Sequence, residues 1–343
     1  MPGDSDHNED PEARHGPRDD RRGSVVYSDA SMPGNTERDR GAAMLRGLSF
    51  LSDYALGDTC WSECAAEVVY MFFHLATRPR PGEFTRRARP LSKQSARRWL
   101  AEHSRLPGTT SAEDVVFRYA YGAYTTIRVG LDTRALCRDL AAEARAIRWR
   151  TLFGFDPKRE RPPSTDTWQF AMVGAHIAEG AGMRPGCSTR EIAAWRTVMQ
   201  PYPAPRRRLT TAGWSAFYAV THLVYVLNDY SLHLLPRERF LPEVKFLREA
   251  CEVAVADDDV EGIGEAVDAL LSLGDTERDP LIVRARKKIL QLQNRDGSWG
   301  RRSDEPYTRL HKTWVALDGL TRYGRRETIR PRLPALPLRS ACS

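Results

Sequence analysis

Apolar side chains are almost missing from the first forty residues of the chain. Asp, Glu, Arg, Pro, Gly and Ser make up most of this stretch. A segment of this composition cannot bury enough apolar surface to offset the entropy that it would lose on ordering. We therefore predict that residues 1–40 are disordered. The same lack of an apolar stretch argues against a signal peptide there.

Long apolar runs are missing from the rest of the chain as well. A membrane-spanning helix needs roughly 18 or more consecutive apolar residues, and no stretch approaches that length. The sequence therefore predicts no membrane span and a cytoplasmic protein. The remainder of the 343 residues is enough for one large domain, which we place at 41–325, followed by a flexible tail over 326–343.

Lysine is scarce although the net charge is +7, because only six of the 52 basic residues are Lys and 46 are Arg. The arginines are scattered along the chain, whereas a nucleic-acid surface concentrates positive charge among aromatic side chains. We do not expect a nucleic-acid partner. The six cysteines include no C-x-x-C pair. Cys60 and Cys64 share one helical face, where we expect buried structural thiols in preference to a pair of metal ligands.

Several familiar catalytic motifs are also missing. The sequence contains no nucleophile elbow, no phosphate-binding glycine loop and no H-E-x-x-H zinc motif. Its chemistry, if it has any, must depend on residues that come together in the fold.

Helical periodicity covers almost the whole chain after residue 41, and strand-like alternation is rare. Ser188 and Glu191 fit a capping box, which marks one helix start, and Gly130, Gly180 and Gly274 mark helix ends. The pattern predicts about twelve helices, at 42–55, 59–76, 91–103, 111–128, 133–149, 166–180, 188–199, 210–230, 239–254, 258–273, 279–294 and 307–322.

The segment 284–300 distinguishes between possible arrangements of these helices. Gln293, Gly297 and Trp299 fit the pattern Q-x-x-x-G-x-W after a helical run. This segment resembles the QW motif of the α/α toroid superfamily, which includes terpenoid cyclases and protein prenyltransferases. In that motif we expect the Gln to cap a helix end, the Gly to permit the turn and the Trp to pack over the junction.

The resemblance implies an all-α fold, an (α/α)6 toroid with inner and outer helices. The QW segment in that superfamily joins an outer helix to an inner one, so the even-numbered helices would line a central cavity. Polar residues on those helices then become the candidates for chemistry.

The eighth predicted helix carries a polar stripe. Tyr218, His222, Tyr225 and Asp229 recur at spacings of four, three and four residues on an otherwise apolar helix. Polar groups on a helix suited to burial must be satisfied by partners, a ligand or a metal. We take these four as candidate catalytic residues, although a hydrogen-bonded core network explains the stripe equally well.

The other even-numbered helices contribute histidines. His222 and Asp229, with His176 or His311 as a further ligand, form a candidate site for a divalent metal such as zinc, iron or manganese. Counting from the helix starts places His176 and His222 at similar depth and His311 roughly 12 Å nearer the rim. Without a metal, His222 and Asp229 could act as an acid and base pair.

We therefore predict an enzyme with a central cavity, metal-assisted, that acts on a small apolar or peptide substrate. The resemblance suggests natural-product biosynthesis. One alternative is a non-catalytic toroid that binds a peptide or a partner protein, and a second is a terpene cyclase or prenyltransferase. The second is weakened because no D-x-D-D string occurs, and the D-D-x-x-E arrangement at 257–261 is better explained by acids at a helix start. The sequence says nothing about oligomeric state.

Overall fold

The computed structural model describes residues 36–77, 82–108, 110–205, 208–323 and 326–334. Within these residues the regular structure is helical and no strand is formed, which confirms the all-α prediction. The helices of the first half are α1 (Thr36–Ala55), α2 (Asp58–Thr77), α3 (Glu83–Glu102), α4 (Ala112–Asp114), α5 (Tyr121–Arg128), α6 (Arg134–Glu143), α7 (Trp149–Phe153) and α8 (Thr165–Gly180). Those of the second half are α9 (Thr189–Ala193), α10 (Arg196–Met199), α11 (Thr211–Leu227), α12 (Leu241–Ala256), α13 (Val260–Ser272), α14 (Pro280–Gln291) and α15 (Pro306–Leu320).

Several helix starts have the side-chain caps that the sequence predicts. Ser188 and Glu191 form a complete capping box at α9. Ser111 accepts a hydrogen bond from the backbone amide of Asp114 at α4. Each cap satisfies an amide that has no partner within its own helix, which fixes where the helix begins.

Other helix bounds differ from the prediction. The helix α1 begins at Thr36, so residues 36–40 are helical and not part of a disordered segment; residues 1–35 lie outside the described part of the chain. The third helix was predicted over 91–103, yet α3 already begins at Glu83 and continues through Pro90. Two predicted helices are each divided into shorter pieces, α6 with α7 and α9 with α10.

Six helices contact one another in an order that returns to its starting point. The helix α2 packs against α5, α5 against α8, α8 against α11, α11 against α13, α13 against α15, and α15 against α2. A π-helical segment, Val115–Ala120, joins α4 to α5 and also packs against α8. These six correspond to the even-numbered helices of the predicted series. The intervening helices pack against them, with α3 on α2 and α5, and α12 on α11 and α13.

The helices α13 and α15 cross at very short range. A Cβ atom at Gly264 would lie 2.3 Å from the carbonyl oxygen of Val315, and one at Gly319 would lie 3.0 Å from the Cα of Gly264. Only a residue without a side chain allows the two backbones to approach this closely. This crossing brings the first turns of α13 and α15 together.

The segment after α14 connects the two ends of the described chain. Trp299 is fully buried, donates from its indole nitrogen to the carbonyl of Ile289 at 2.7 Å, and packs against Gly47 of α1. Gly297 has a φ of +90°, and a Cβ there would lie 2.5 Å from the carbonyl oxygen of Arg46. The Gln293 amide donates to the carbonyls of Ala43 and Gly297. It thus bonds to α1, and the expectation that it caps a helix end is wrong.

Part of the predicted C-terminal tail is held against the helices. Leu234 and Thr328 form an isolated bridge, and the Arg326 guanidinium donates to the carbonyls of Ser231 and Leu271. The ordered part of the chain therefore extends beyond residue 325, because these bonds satisfy backbone groups at the ends of α11 and α13; residues 335–343 lie outside the described part. None of the described helices is both long and apolar enough to cross a bilayer.

Candidate functional site

A cavity of about 500 Å³ lies among the six helices that contact in turn. Its walls are formed by α2, by the stretch from α4 to α5, by α8, by α11 with the loop that follows, and by α15. His222 and His311 both line it, together with the aromatic side chains of Tyr230, Tyr307 and Trp314. A cavity of this size is in the usual range for small-molecule sites, about 300–1,000 Å³.

Two carboxylates and an imidazole converge beside this cavity. The Nε2 atom of His311 lies 3.5 Å from an oxygen of Glu265 and 3.6 Å from an oxygen of Glu261. One ligand atom from each residue lies within 4.8 Å of the other two. Glu261 and Glu265 are four residues apart on α13 and so share a face, while His311 is on α15. We call these three residues the carboxylate–histidine cluster.

Neighbouring hydroxyl groups orient both carboxylates. The Tyr218 hydroxyl donates to Glu261 at 2.9 Å, and the Thr221 hydroxyl donates to Glu265 at 2.7 Å. Both donors are on α11, which packs against α13. The close crossing at Gly264 then places His311 over the same two acids. Three helices therefore fix the cluster, and hydrogen bonds from a second layer hold its side chains in place.

The cluster is strongly coupled electrostatically. Burial alone would lower the pKa of His311, but the contact with Glu265 and the charges of Glu261 and Glu265 raise that pKa to about 9. Burial would raise the pKa of Glu265, yet the contacts with His311 and Thr221 leave it lowered. At neutral pH the metal-free cluster therefore holds an imidazolium between carboxylates. A metal ion would have to displace that proton.

His222 is the second imidazole of the cavity and has a different environment. Burial lowers its pKa, so the ring is neutral at pH 7. Its Nδ1 lies 2.8 Å from the carbonyl oxygen of Tyr218 and donates to it. That bond selects the tautomer in which Nε2 carries a lone pair. His222 can therefore accept a proton or bind a metal through Nε2.

Asp229 and His176 lie in a separate group. The helix α11 ends at Leu227, and Asp229 has a φ of +56°, so it does not continue the polar stripe of the helix. Both of its carboxylate oxygens bind Arg128, at 2.6 and 2.8 Å. The Tyr124 hydroxyl lies 3.1 Å from Asp229 and 3.4 Å from Nε2 of His176. Burial raises the pKa of Asp229, but the bonds from Arg128 outweigh this effect and lower it.

The predicted site residues are thus divided between two places. Tyr218, His222 and His311 lie around the carboxylate–histidine cluster, and the Tyr225 hydroxyl donates to the backbone carbonyl of Glu265 at 3.2 Å. Asp229 and His176 belong to the group around Arg128, where the Nε2 atom of His176 contacts the Tyr124 hydroxyl.

The helices α11 and α13 do not start at one level. Thr221 is ten residues into α11 and bonds Glu265, which is five residues into α13. At about 1.5 Å per residue the two starts differ by about 7.5 Å in level. Counting residues from helix starts therefore does not give the relative depth of side chains on these two helices.

Glu261 and Glu265 were not predicted as site residues. The acids at 257–261 were predicted to mark a helix start, and this is true of Asp259, which accepts a hydrogen bond from the backbone amide of Glu261. Asp258 pairs with Lys288 on the surface. Glu261 and Glu265 could have been predicted as site residues from their spacing. Two carboxylates four residues apart on an otherwise apolar helix need hydrogen-bond or ion-pair partners in the interior.

The two cysteines of α2 are close neighbours at the cavity wall. Their sulfur atoms are 3.4 Å apart, and the Cys64 thiol donates to the carbonyl of Cys60 at 3.0 Å. Both are buried, and the helix is kinked at Cys64. The structure places them together as the spacing predicted.

Comparisons of the chain with family models, with curated proteins and with solved structures find no match.

Proposed function

We propose that this chain is a metal-assisted enzyme that binds a small molecule or a short peptide segment in its central cavity. The observation that carries the proposal is the spacing of the carboxylate–histidine cluster. The imidazole nitrogen is 3.5 and 3.6 Å from the two carboxylate oxygens. These distances exceed the usual N–H···O hydrogen bond of about 2.7–3.2 Å.

The same distances suit ligand atoms that share one metal ion. Bonds of about 2.0–2.2 Å to a tetrahedral ion place neighbouring ligand atoms about 3.3–3.6 Å apart. Two carboxylates and one imidazole are suitable donors for zinc, iron or manganese, and three protein ligands leave a coordination position for substrate. The bonds from Tyr218 and Thr221 supply the oriented second layer that such sites need.

The residues of the chain would divide the chemistry between them. A divalent ion at the cluster supplies a Lewis acid that polarises a bound oxygen or nitrogen. His222, neutral and with a free lone pair on Nε2, serves as the general base. The volume of the cavity, about 500 Å³, limits the size of the substrate.

We further propose that the fold is an (α/α)6 toroid. The cyclic order of contacts through α2, α5, α8, α11, α13 and α15 supports this arrangement. The segment at Gln293 to Trp299 supports it as well, because it leads from α14 to α15 and bonds to α1. A closed ring of six inner helices accounts for a cavity that is lined by residues from distant parts of the chain, between Ser62 and Trp314.

Metal analysis tests the enzyme proposal. We expect the chain, incubated with zinc, manganese or ferrous iron and then desalted, to retain about one ion per molecule by mass spectrometry. Glu265→Gln and His311→Ala should each lose it, because the first removes a ligand charge at nearly constant shape and the second removes the imidazole lone pair.

His176→Gln is the matched control, since it removes an imidazole from the group around Arg128. It should keep the metal. A chain that retains no ion, or one whose ion survives Glu265→Gln and His311→Ala in a folded state confirmed by circular dichroism, would contradict the proposal.

A further inference from the structure

We infer that the substrate of the proposed enzyme carries a cationic nitrogen, an amine or a quaternary ammonium group, received by the acidic and aromatic side chains of the cavity. This inference rests on the proposed function for its catalytic meaning. The binding itself depends on residues outside the carboxylate–histidine cluster.

The charge of the cavity is opposite to the charge of the chain. The chain has a net charge of +7. The cavity lining nevertheless contains four carboxylates, Glu63, Glu67, Glu113 and Asp114, against two cationic groups, the Arg118 guanidinium and, without metal, the protonated His311. A cleft lined by one sign of charge attracts ligands of the other sign and raises their local concentration.

Glu67 distinguishes this lining from an ordinary acidic surface. It lies on α2 facing α15, and it accepts a hydrogen bond from the Tyr307 hydroxyl at 3.3 Å. Among the described residues, no Lys, Arg or His nitrogen lies within ion-pair distance of its carboxylate. Burial raises the pKa of Glu67, and the more distant His311 offsets this only in part.

Glu67 is partly buried, and a fully buried acid elsewhere in the chain shows how such a group is satisfied. Glu243 is fully buried and receives bonds from Arg196, Gln200 and Tyr202. A carboxylate taken out of water costs free energy unless it is paired. Among the described residues Glu67 receives only the 3.3 Å hydrogen bond from Tyr307, and it lines the cavity, so a positively charged ligand would supply an ionic partner.

Aromatic rings close the other sides of the same space. Tyr121, Tyr230, Tyr307 and Trp314 line the cavity. Behind them, Tyr70 packs at ring distances of 5.1 Å from Tyr121, 5.0 Å from Tyr230 and 5.9 Å from Trp314, which makes the wall rigid. Aromatic walls beside a carboxylate favour ammonium ions, and quaternary ammonium groups in particular.

The same features disfavour phosphorylated substrates. A diphosphate needs several guanidinium or ammonium groups, or oriented backbone amides, around its oxygens. The lining offers one Arg among four carboxylates. The cavity should therefore reject pyrophosphate, and this sets it apart from an enzyme that acts on prenyl diphosphates.

Isosteric probes test the inference on the full chain. Choline and 3,3-dimethylbutan-1-ol have the same shape, but only choline is charged. We expect choline to bind at least tenfold more tightly by calorimetry, and pyrophosphate not to bind. The titrations are run in EDTA, so that absence of a bound metal cannot affect the result and failure of the metal proposal remains separate.

Two variants complete the test. Glu67→Gln should remove most of the preference for choline, whereas Glu143→Gln, which removes the same charge from an exposed position on α6, should leave it unchanged. If Glu67→Gln does not fold, Glu113→Gln should reduce the preference by a smaller factor. Equal binding of the two isosteres, tighter binding of pyrophosphate, or a preference that survives Glu67→Gln would overturn the inference.

Discussion

At the scale of single residues, the interior contains histidines in opposite charge states. His311 is held between Glu261 and Glu265, which stabilise its protonated form, and its pKa is about 9. Burial dominates at His176, where the charge of Asp229 only partly opposes it, and the pKa falls to about 4. The same residue type is therefore an acid in one part of the interior and a neutral group in another. The neighbours decide which form is present.

His176 gives the protein a specific acid sensitivity. Its pKa is lowered from 6.5 in the unfolded chain to about 4 in the folded protein. The unfolded state therefore takes up a proton first, and stability is lost as pH falls from 6.5 towards 4. We expect this residue to contribute on the order of 2–3 kcal/mol of that loss. Above pH 6.5 it should contribute no pH dependence.

Denaturant unfolding of the wild type and His176→Gln between pH 4 and pH 7.5 measures this contribution. The Gln variant should lose less free energy of unfolding across the range, and the difference between the two proteins should be constant above pH 6.5. Parallel stability curves would show that His176 is protonated without cost in the folded state.

At the scale of helices, the crossing of α13 and α15 positions the candidate site. Gly264 and Gly319 let the two backbones meet. Glu261 and His311 lie about one turn before the crossing, and Glu265 is the neighbour of Gly264. The hydroxyls of Tyr218 and Thr221 on α11 then hold the carboxylates. The packing of α13 against α15 therefore also sets the geometry of the candidate site. A substitution at the crossing should affect both the stability of the fold and the binding of metal.

Gly264→Ala tests this dependence. The added Cβ would lie 2.3 Å from a backbone carbonyl, so α15 must shift. We expect a loss of about 1–3 kcal/mol in the free energy of unfolding and weaker retention of metal. Gly41→Ala is the control, because a Cβ at that exposed position in α1 meets nothing within 4 Å. It should stabilise the protein by about 0.5–1 kcal/mol.

Urea unfolding of both variants gives the comparison. If the two alanines have the same effect on stability, the close approach of α13 and α15 is not a constraint on the fold.

At the scale of the whole molecule, the ends of the described chain depend on each other. Trp299, in the segment before α15, packs on Gly47 of α1 and donates to Ile289 of α14. Arg286 adds to this by donating from α14 to the carbonyls of Gly319 and Thr321. These contacts join the first helix to the last two.

Trp299→Ala should therefore weaken the contacts between α1 and the last two helices as well as the packing around residue 299. We expect a loss of about 3–5 kcal/mol, the range for removal of a large buried aromatic side chain. Hydrogen exchange should also show faster exchange in α1 and α15 together. Faster exchange confined to α14 and the segment after it would mean that Trp299 is a local packing residue without a closing role.

Some features of the protein could be predicted from the sequence because they depend on local interactions. The periodicity of apolar residues predicted the all-α class and most helix positions, and the capping box at Ser188 predicted a helix start, since neighbours within one turn decide these features. The polar stripe on α11 likewise predicted Tyr218 and His222 as candidate site residues, and both lie beside the carboxylate–histidine cluster.

Tertiary structure decided which of the candidate residues meet. The sequence grouped Asp229 with His222 by their spacing, but α11 ends at Leu227 and the Asp229 carboxylate is bound by Arg128, a residue 101 positions away. Glu261 and Glu265 were not predicted from the sequence as site residues. Their partner His311 reaches them only because α13 and α15 cross at two glycines. The physical reason is that a helical pattern specifies which face a residue occupies, whereas the relative levels of the helices, and so the convergence of side chains from different helices, are set by packing between distant segments.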